Sequence, residues 1–298
     1  MTMTLAGHTL GTPDMSVLEA VRLFRAAGLQ AAEVIWQDGY RSGLPEADGG
    51  RALSDLRHEA IDEGVTICCL TPYMVDLNSL DSERRERDIA RFRCCIDDAE
   101  KLGAHRIRVY AGTFRPEERD QWADRWNKLI ESLIALAAYA STRGVVLAVE
   151  NHFSTMTVTA QESSDLMRAI GSEAVGILYD QANLTFTHSE DPSTAIELQK
   201  RWIRHVHVKD LVFTDPQKAF AAAAVAVVTG GERSVRSRVV GDGILDWRDI
   251  VHKLAVTGYD GFLSLEYEYR WHPEDLPDPA EGFRRSVTYL RTVASEIL

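Results

Sequence analysis

The chain has 298 residues, of which 45% are hydrophobic and 26% are charged, and this balance excludes fibrous and intrinsically disordered proteins. Its formal net charge of −12 repels polyanions at long range, so we do not expect nucleic acid as a partner. No apolar run reaches the length of a membrane span, and the first residues lack the basic-then-apolar order of a signal peptide. We therefore expect a cytoplasmic protein that acts away from membranes.

Strand-like and helix-like patterns alternate along the chain. Short apolar runs predict eight buried strands, at 5–9, 31–36, 65–70, 106–111, 145–150, 175–180, 203–208 and 261–266. Apolar residues spaced by three and four predict amphipathic helices, the clearest at 17–27, 82–102, 117–142 and 161–170. Glycines stand at helix ends just before the next strand, at Gly28, Gly64, Gly103 and Gly144. This alternation predicts an α/β fold in which the strands close into one (β/α)8 TIM barrel domain over residues 1–298.

The segment from about 213 to 240 interrupts this alternation after the seventh strand. It contains a run of small residues at 219–228, then Gly230-Gly231, and arginines up to Arg238. An insertion after a barrel strand lies on the face where such barrels place their active sites, so it could form a lid over a substrate. A surface excursion with a short helix explains the pattern equally well.

Four of the predicted strands end in a residue that can bind a metal ion: Glu150, Asp180, His207 and Glu266. The carboxyl ends of barrel strands meet at one face, so these side chains are expected to converge there. Three carboxylates and one imidazole form a hard, oxygen-rich site that favours Mn²⁺, with Mg²⁺ or Co²⁺ as alternatives. Any one of these acids could instead be a helix cap or an ion-pair partner. Four on successive strands indicate a metal site.

The segments around these residues resemble a known superfamily. They are Ala148-Val149-Glu150-Asn151-His152, Tyr179-Asp180-Gln181-Ala182-Asn183, His205-Val206-His207-Val208-Lys209-Asp210, Gly241-Asp242-Gly243-Ile244-Leu245-Asp246-Trp247 and Leu265-Glu266. They resemble the sugar phosphate isomerase/epimerase superfamily of xylose-isomerase-like TIM barrels, which includes ketose 3-epimerases, inosose dehydratase and hydroxypyruvate isomerase. The resemblance implies that Glu150, Asp180, His207 and Glu266 hold one divalent ion, and that the two glutamates flank the sugar and move protons. It also implies a homo-oligomer, and a partner subunit stays open.

Two features depart from that resemblance. Ketose 3-epimerases and the DNA-repair branch usually carry a histidine where this chain has Asn183. The ends of the third and fourth strands also lack the extra histidines of the trinuclear-zinc endonucleases of this superfamily. Together with the acidic charge balance, these differences argue against a nucleic-acid phosphodiesterase and weaken a simple 3-epimerase assignment.

The predicted chemistry is proton abstraction beside a carbonyl. A metal that chelates a ketone oxygen and the neighbouring hydroxyl would stabilise the enediolate formed when the adjacent carbon loses its proton. Glu150 and Glu266 are the predicted catalytic pair, acting as base and acid. Transfer on two faces gives an epimerase, whereas transfer by one glutamate gives an aldose–ketose isomerase or a lyase. We therefore predict a metal-dependent sugar isomerase or epimerase. A lyase on a keto-sugar, such as a dehydratase or C-glycoside-cleaving enzyme, is the alternative, and a binding subunit without turnover is less favoured.

Five further residues are candidates for substrate binding, and each has a structural alternative. His152 could contact a hydroxyl or pack in its loop. Lys209 could bind a hydroxyl or an enolate, or form a salt bridge to Asp210 or another acid. Glu33 and Arg108 could contact the polar end of a substrate or form an internal barrel ion pair. Asn183 completes the set.

Two aromatic residues and one turn also bear on the substrate. Trp36 and Trp271 could form a wall against a sugar face, although aromatic packing explains them equally. The Gly241-Asp242-Gly243 turn lacks the lysine and the glycine spacing of a nucleotide-binding loop. We expect a tight turn into a helix capped by Asp246, so the sequence does not indicate a phosphate on the substrate.

Overall fold

Eight parallel strands close into a barrel in this computed structural model, which describes residues 3–47, 50–188, 190–215, 217 and 234–297. The strands are β1 (Thr4–His8), β2 (Ala31–Trp36), β3 (Gly43–Leu44), β4 (Thr66–Thr71), β5 (Arg106–Tyr110), β6 (Val146–Glu150), β7 (Val175–Asp180), β8 (Ile203–Val208), β9 (Asp210–Phe213), β10 (Val235–Arg238) and β11 (Phe262–Leu265). The barrel order is β1, β2, β4, β5, β6, β7, β8 and β11, and β11 pairs with β1 to close the ring. The predicted TIM barrel is confirmed.

Helices surround the barrel and begin and end where local signals place them. They are α1 (Val17–Ala27), α2 (Arg51–Glu63), α3 (Ser82–Leu102), α4 (Trp122–Ser141), α5 (Ala160–Ile170), α6 (Gln181–His188), α7 (Pro192–Gln199), α8 (Trp247–Val256) and α9 (Pro279–Ile297). Ser16 and Thr159 form capping boxes at the starts of α1 and α5. Gly28 and Gly103 end α1 and α3 in the left-handed conformation. The helix predicted at 117–142 instead starts as a 3-10 turn, Pro116–Gln121, before α4.

A small apolar cluster lies in the lower part of the barrel interior. Ala6, Ala31, Cys68 and Cys69 are buried there and pack with Phe262. Burial raises the pKa of the Cys69 thiol well above its ordinary value, so this side chain stays neutral. This closely packed cluster lies below the polar residues nearer the carboxyl ends of the strands.

The segment after the seventh barrel strand begins and ends in an antiparallel ribbon formed by β9 and β10. Residues 216 and 218–233 of the predicted insertion at 213–240 lie outside the described residues, so its role as a lid or a surface excursion stays a prediction. The ribbon leads into the turn at Gly241–Gly243, which wraps the Asp210 carboxylate. That carboxylate accepts hydrogen bonds from the backbone N–H groups of Gly241, Gly243 and Leu245. A Cβ at Gly243 would lie 2.0 Å from Asp210 Oδ1, so the turn requires glycine at this position.

The turn then enters α8 as predicted, because the Asp246 side chain accepts a hydrogen bond from the Asp249 N–H. Among the helices in the described part of the chain, none is long and apolar enough to cross a membrane.

Candidate metal centre and substrate pocket

Four strand-end side chains meet at the carboxyl ends of β6, β7, β8 and β11. Glu150, Asp180, His207 and Glu266 are all buried, and each contributes a ligand atom within 4.8 Å of the others. The Nδ1 atom of His207 lies 3.3 Å from Glu266 Oε2, 3.5 Å from Glu150 Oε1 and 3.9 Å from Asp180 Oδ2. The sequence therefore anticipated which side chains would converge. We call these four residues the carboxylate–histidine cluster.

The cluster has the electrostatic character of a cation site. His207 Nδ1 is buried without a hydrogen-bond partner, although three carboxylates surround it. Burial acts to lower the pKa of His207, but Glu266 and Glu33 outweigh it and raise the pKa well above its ordinary value. One imidazole nitrogen and three carboxylates form a donor set that suits a hard or borderline divalent ion.

The two carboxylate oxygens of Asp180 contact different partners. Oδ1 accepts a hydrogen bond from the Asn183 N–H and so caps the start of α6. Oδ2 faces the cluster and lies 2.9 Å from Lys209 Nζ. Burial raises the pKa of Asp180 to about 7, although the Lys209 ammonium acts in the opposite direction. Asp180 can therefore cap a helix with one oxygen and offer the other to a metal ion.

Lys209 lies directly over the cluster. Its Nζ is 2.8 Å from Glu266 Oε2 and 3.6 Å from Glu268 Oε1, in addition to the contact with Asp180. Burial acts to lower the pKa of Lys209, but Asp180 and Glu266 outweigh it and raise the pKa well above its ordinary value. Its ion pairs are therefore with the cluster and not with Asp210, whose carboxylate is occupied by backbone N–H groups.

Arg108 supports Glu150 from the neighbouring strand. Its guanidinium donates to Glu150 Oε2 at 3.2 Å and to the Pro72 carbonyl at 2.8 Å. It also lies 3.8 Å from the ring centre of Tyr110 and 4.5 Å from that of Tyr73. Arg108 is only 1% exposed, so the structure places it behind the cluster, as in the internal ion pair that the sequence left open.

A second group of contacts holds Glu150 from the other side. Asn183 Nδ2 donates to Glu150 Oε1 at 3.2 Å and to the Asn151 carbonyl at 3.0 Å. Asn151 in turn exchanges hydrogen bonds with the Asp180 backbone. Burial acts to raise the pKa of Glu150, but His152 and His207 outweigh it and hold the pKa at about 2. Asn183 is buried against the cluster and is not among the described residues that line the adjoining pocket, although its neighbour Ala182 is.

Glu33 lies beneath the cluster and is fully buried. Its carboxylate accepts a hydrogen bond from Thr71 Oγ1 at 2.6 Å, and it lies 2.8 Å from His205 Nε2 and 3.2 Å from His207 Nε2. Burial acts to raise the pKa of Glu33, but His207, His205 and His8 outweigh it and hold the pKa well below its ordinary value. This placement does not favour the predicted contact with a substrate, because Glu33 is fully buried and is not among the described residues that line the pocket.

A pocket of about 290 Å³ opens above the cluster. Lys209, Glu266 and His152 form part of its wall. The wall also includes residues from several other elements and loops that the sequence did not single out: Tyr73, Tyr110, Phe153, Phe186, Arg236, Ser237 and Glu268. The aromatic residues indicate a ligand that presents an apolar face as well as polar groups.

The two tryptophans that were predicted to form a possible wall against the substrate lie in different places. Trp271 lines the pocket, whereas Trp36 points outward and donates its indole N–H to Asp98 on α3. For Glu268, one of the wall residues that the sequence analysis did not predict, the sequence did contain a signal. Glu268 is two positions after Glu266, and its contact with Lys209 shows that the two side chains lie on the same side of the chain.

Comparison with known proteins places this barrel in a family. The family described as xylose isomerase-like TIM barrel matches residues 21–293. Inosose dehydratase from Geobacillus thermodenitrificans is 28% identical over 175 residues, which are 56% of this chain and 54% of that protein. The chain thus spans about half the length of the first curated relatives it matches. Inosose dehydratase from Glaesserella parasuis is 26% identical over 257 residues, which are 82% of each chain.

Solved structures share the fold over nearly the whole chain. The IolI protein with a bound zinc atom has a TM-score of 0.79 at 17% identity and covers 99% of both chains. A xylose isomerase-like TIM barrel protein from Mycobacterium smegmatis in complex with magnesium has a TM-score of 0.75 at 20% identity, covering 100% of this chain and 98% of that one. A D-psicose 3-epimerase determined in the presence of D-fructose has a TM-score of 0.75 at 17% identity, covering 98% and 99%. At these identities the likeness concerns the fold alone.

Proposed function

The chain belongs to the xylose isomerase-like TIM barrel family, and from this premise we propose that it is a divalent-metal-dependent enzyme acting on a keto-sugar or keto-polyol. The proposed first step is removal of a proton from the carbon beside the ketone. The observation that carries the proposal is the carboxylate–histidine cluster, whose ligand atoms lie within 4.8 Å of one another beside a pocket of about 290 Å³.

The residues proposed to hold the ion are Glu150, Asp180, His207 and Glu266. Mn²⁺ is our first choice, with Mg²⁺ or Co²⁺ as alternatives, because three of the four ligands are carboxylates. Relatives of this fold carry magnesium or zinc. When bound, a divalent ion acts as a Lewis acid that makes a proton beside a ketone easier to remove.

Glu266 is the proposed base. It lines the pocket and is 8% exposed, whereas Glu150 is 1% exposed and is tied to Arg108 and Asn183. A base must reach the proton that it takes, so the glutamate that borders the pocket is better placed. Glu150 is then mainly a ligand held in a fixed orientation, with proton transfer on a second face as its further possible role.

Loss of water is the outcome that we favour for the second step. Lys209 Nζ lies 2.8 Å from Glu266 Oε2 and borders the same pocket, so it can supply a proton next to the base. Glu266 takes the proton from the α-carbon, a carbon–carbon double bond forms, the carbon–oxygen bond at the β-carbon breaks, and the oxygen leaves as water with a proton from Lys209. The relatives named inosose dehydratase support this reading.

Isomerisation or epimerisation is the second candidate. It is favoured by the presence of two glutamates in one cluster, since a proton removed on one face could be returned on the other. The fold neighbour that is a D-psicose 3-epimerase is consistent with this outcome. Asn183 argues against it, because its amide faces Glu150 and the Asn151 carbonyl instead of the pocket.

Among the predicted substrate contacts, we retain His152 and Lys209, which line the pocket. We propose that Arg108 and Asn183 act through Glu150, because both donate hydrogen bonds to its carboxylate. A small-molecule substrate fits a pocket of about 290 Å³, and nucleic acid stays an unexpected partner. The homo-oligomer and the cytoplasmic location stay predictions, which a size measurement and fractionation would test.

The deciding experiment uses manganese-loaded protein in heavy water with a panel of ketoses, inososes and 3-keto-glycosides. We expect one class to incorporate deuterium at the carbon beside the ketone and to lose one water, as measured by NMR and mass spectrometry. Deuterium incorporation with unchanged composition would instead favour the isomerase or epimerase. The absence of exchange across the panel, in protein that binds manganese, would contradict the proposed chemistry.

A further inference from the structure

The buried Glu33 carboxylate is the meeting point of three imidazole rings. His205 Nε2 and His207 Nε2 lie 2.8 Å and 3.2 Å from Glu33 Oε2, and His8 Nε2 lies 3.7 Å from Oε1. The Thr71 hydroxyl donates to Oε1 at 2.6 Å. All of these side chains are shielded from solvent, so no bulk water competes for the carboxylate.

These contacts define which nitrogen of each ring carries the proton. His8 Nδ1 accepts a hydrogen bond from the Leu10 N–H, so the proton of this neutral ring is on Nε2, which faces Glu33. An ionised carboxylate can only accept, so the Nε2 atoms of His205 and His207 must also be protonated to form favourable contacts. The three rings therefore share one orientation, with every Nε2–H directed at the same anion.

This orientation has a consequence at the cluster. With the Nε2–H of His207 donated to Glu33, the lone pair of a neutral ring is on Nδ1, the atom that faces Glu266, Glu150 and Asp180. A lone pair surrounded by carboxylates is unfavourable unless a positive charge lies between them. Hydrogen bonds from a ligating histidine to a carboxylate fix its tautomer and increase its basicity.

We propose that Glu33 is a positioning residue that fixes the Nε2–H tautomer of His207 and so presents Nδ1 as a metal ligand. The inference rests on the proposed metal role of His207 and deepens it, because it assigns a task to a carboxylate that neither contacts the substrate nor belongs to the ligand set. His205 and Thr71 then keep the carboxylate ionised and oriented. The same contacts explain why a charged residue is buried inside the barrel.

The test compares manganese affinity in matched variants, measured from the electron paramagnetic resonance signal of free Mn²⁺. Glu33→Leu removes the acceptor, and we expect its Kd to rise roughly 10- to 100-fold, as for other residues that orient metal-bound histidines. Glu33→Gln keeps an acceptor oxygen without the charge, and we expect a rise of about three- to tenfold. Asp88→Asn is the control, because Asp88 is also a buried carboxylate but accepts hydrogen bonds from the Val75 and Asp76 N–H groups, outside the cluster. Its Kd should stay within about threefold of wild type, since the contact between Glu33 and His207 is retained.

Thermal unfolding of each metal-free variant separates a loss of fold from a loss of affinity. If Glu33→Leu does not fold, the comparison of Glu33→Gln with Asp88→Asn decides, because only the former should weaken binding more than threefold. Wild-type affinity in a folded Glu33→Leu or Glu33→Gln variant would overturn the inference, and so would equal weakening by the two Glu33 changes. Wild-type protein that binds no manganese would overturn the proposed function itself, which is a different result.

Discussion

The upper and lower layers of the barrel interior are built from the same strands but have opposite chemistry. The lower layer contains Ala6, Ala31, Cys68 and Cys69, which are neutral and closely packed. The upper layer contains the carboxylate–histidine cluster together with Lys209, Arg108 and Glu33, all of them buried. A parallel barrel separates the two because successive inward residues of one strand lie at successive heights, as do His205, His207 and Lys209 along β8 and just beyond it.

The energetic cost of a change differs between the layers. In the upper layer each charge depends on a partner, and removal of one partner from a buried pair costs roughly 3–5 kcal/mol because the other charge is left uncompensated. Among the four side chains of the lower layer the interactions are dispersion and apolar burial, which depend on shape and not on charge. Changes in the upper layer should therefore alter metal binding and turnover, whereas changes in the lower layer should alter stability alone.

Removal of the metal should have the largest effect on turnover. We expect dialysis against a chelator to reduce deuterium exchange by more than about 1,000-fold, because the carbon acid then loses several kcal/mol of stabilisation. Added Mn²⁺ should restore the activity. Protein dialysed against a chelator already saturated with Mn²⁺ is the control. Full exchange in protein shown by elemental analysis to be metal-free would refute the mechanism.

Replacement of the proposed base should have the next largest effect. Glu266→Gln should reduce the rate of α-deuterium exchange by about 10²–10⁴-fold, while manganese binding is weakened but detectable. Glu268→Gln is the matched control, because Glu268 also lines the pocket and lies 3.6 Å from Lys209 but is outside the cluster. If the two variants exchange deuterium at similar rates, Glu266 is not the base.

Replacement of Lys209 should slow the release of water and leave deuterium exchange measurable. Lys209→Met removes the proposed proton donor, so release of water should fall by about 10²-fold or more while deuterium exchange continues. Both rates can be read from the same NMR time course. Parallel loss of exchange and of water release would show that Lys209 acts before elimination and would contradict its assigned role.

Local signals predicted most of the elements. The bounds of β2, β7, β8, α1 and α3 are those expected from the sequence, because apolar periodicity and caps such as Ser16 and Gly103 are contained within a few residues. The start of α4 was less predictable, since Pro116 opens a 3-10 turn that carries the same polar pattern as a helix. The convergence of the four cluster residues could be predicted from their positions at strand ends alone.

For inward-facing side chains, the height along the barrel axis was harder to predict than the fact that they point inward. Glu33 and Glu150 both lie in buried strands, but Glu150 is the last residue of β6, whereas Glu33 is followed by Val34, Ile35 and Trp36 within β2. Because of that difference, Glu33 lies below the ligand atoms. Its position within the predicted strand already indicated this depth. The pocket wall could not be predicted in this way, because Tyr73, Phe186 and Ser237 come from a loop, from α6 and from β10, which meet only in the closed fold.

The smallest effect on activity is expected from the lower layer. Ala31 is fully buried against Ala6 and the two cysteines, so Ala31→Leu should overpack this layer and reduce the free energy of unfolding by about 1–3 kcal/mol. Manganese affinity and turnover per folded molecule should stay unchanged, because the added methyl groups lie below the charged layer. Ala123→Leu, on the exposed surface of α4, is the control and should change stability by less than about 0.5 kcal/mol. Urea unfolding and metal titration of both variants provide the measurement. A marked loss of manganese affinity in Ala31→Leu would mean that the two layers are mechanically coupled, and the separation drawn between them would fail.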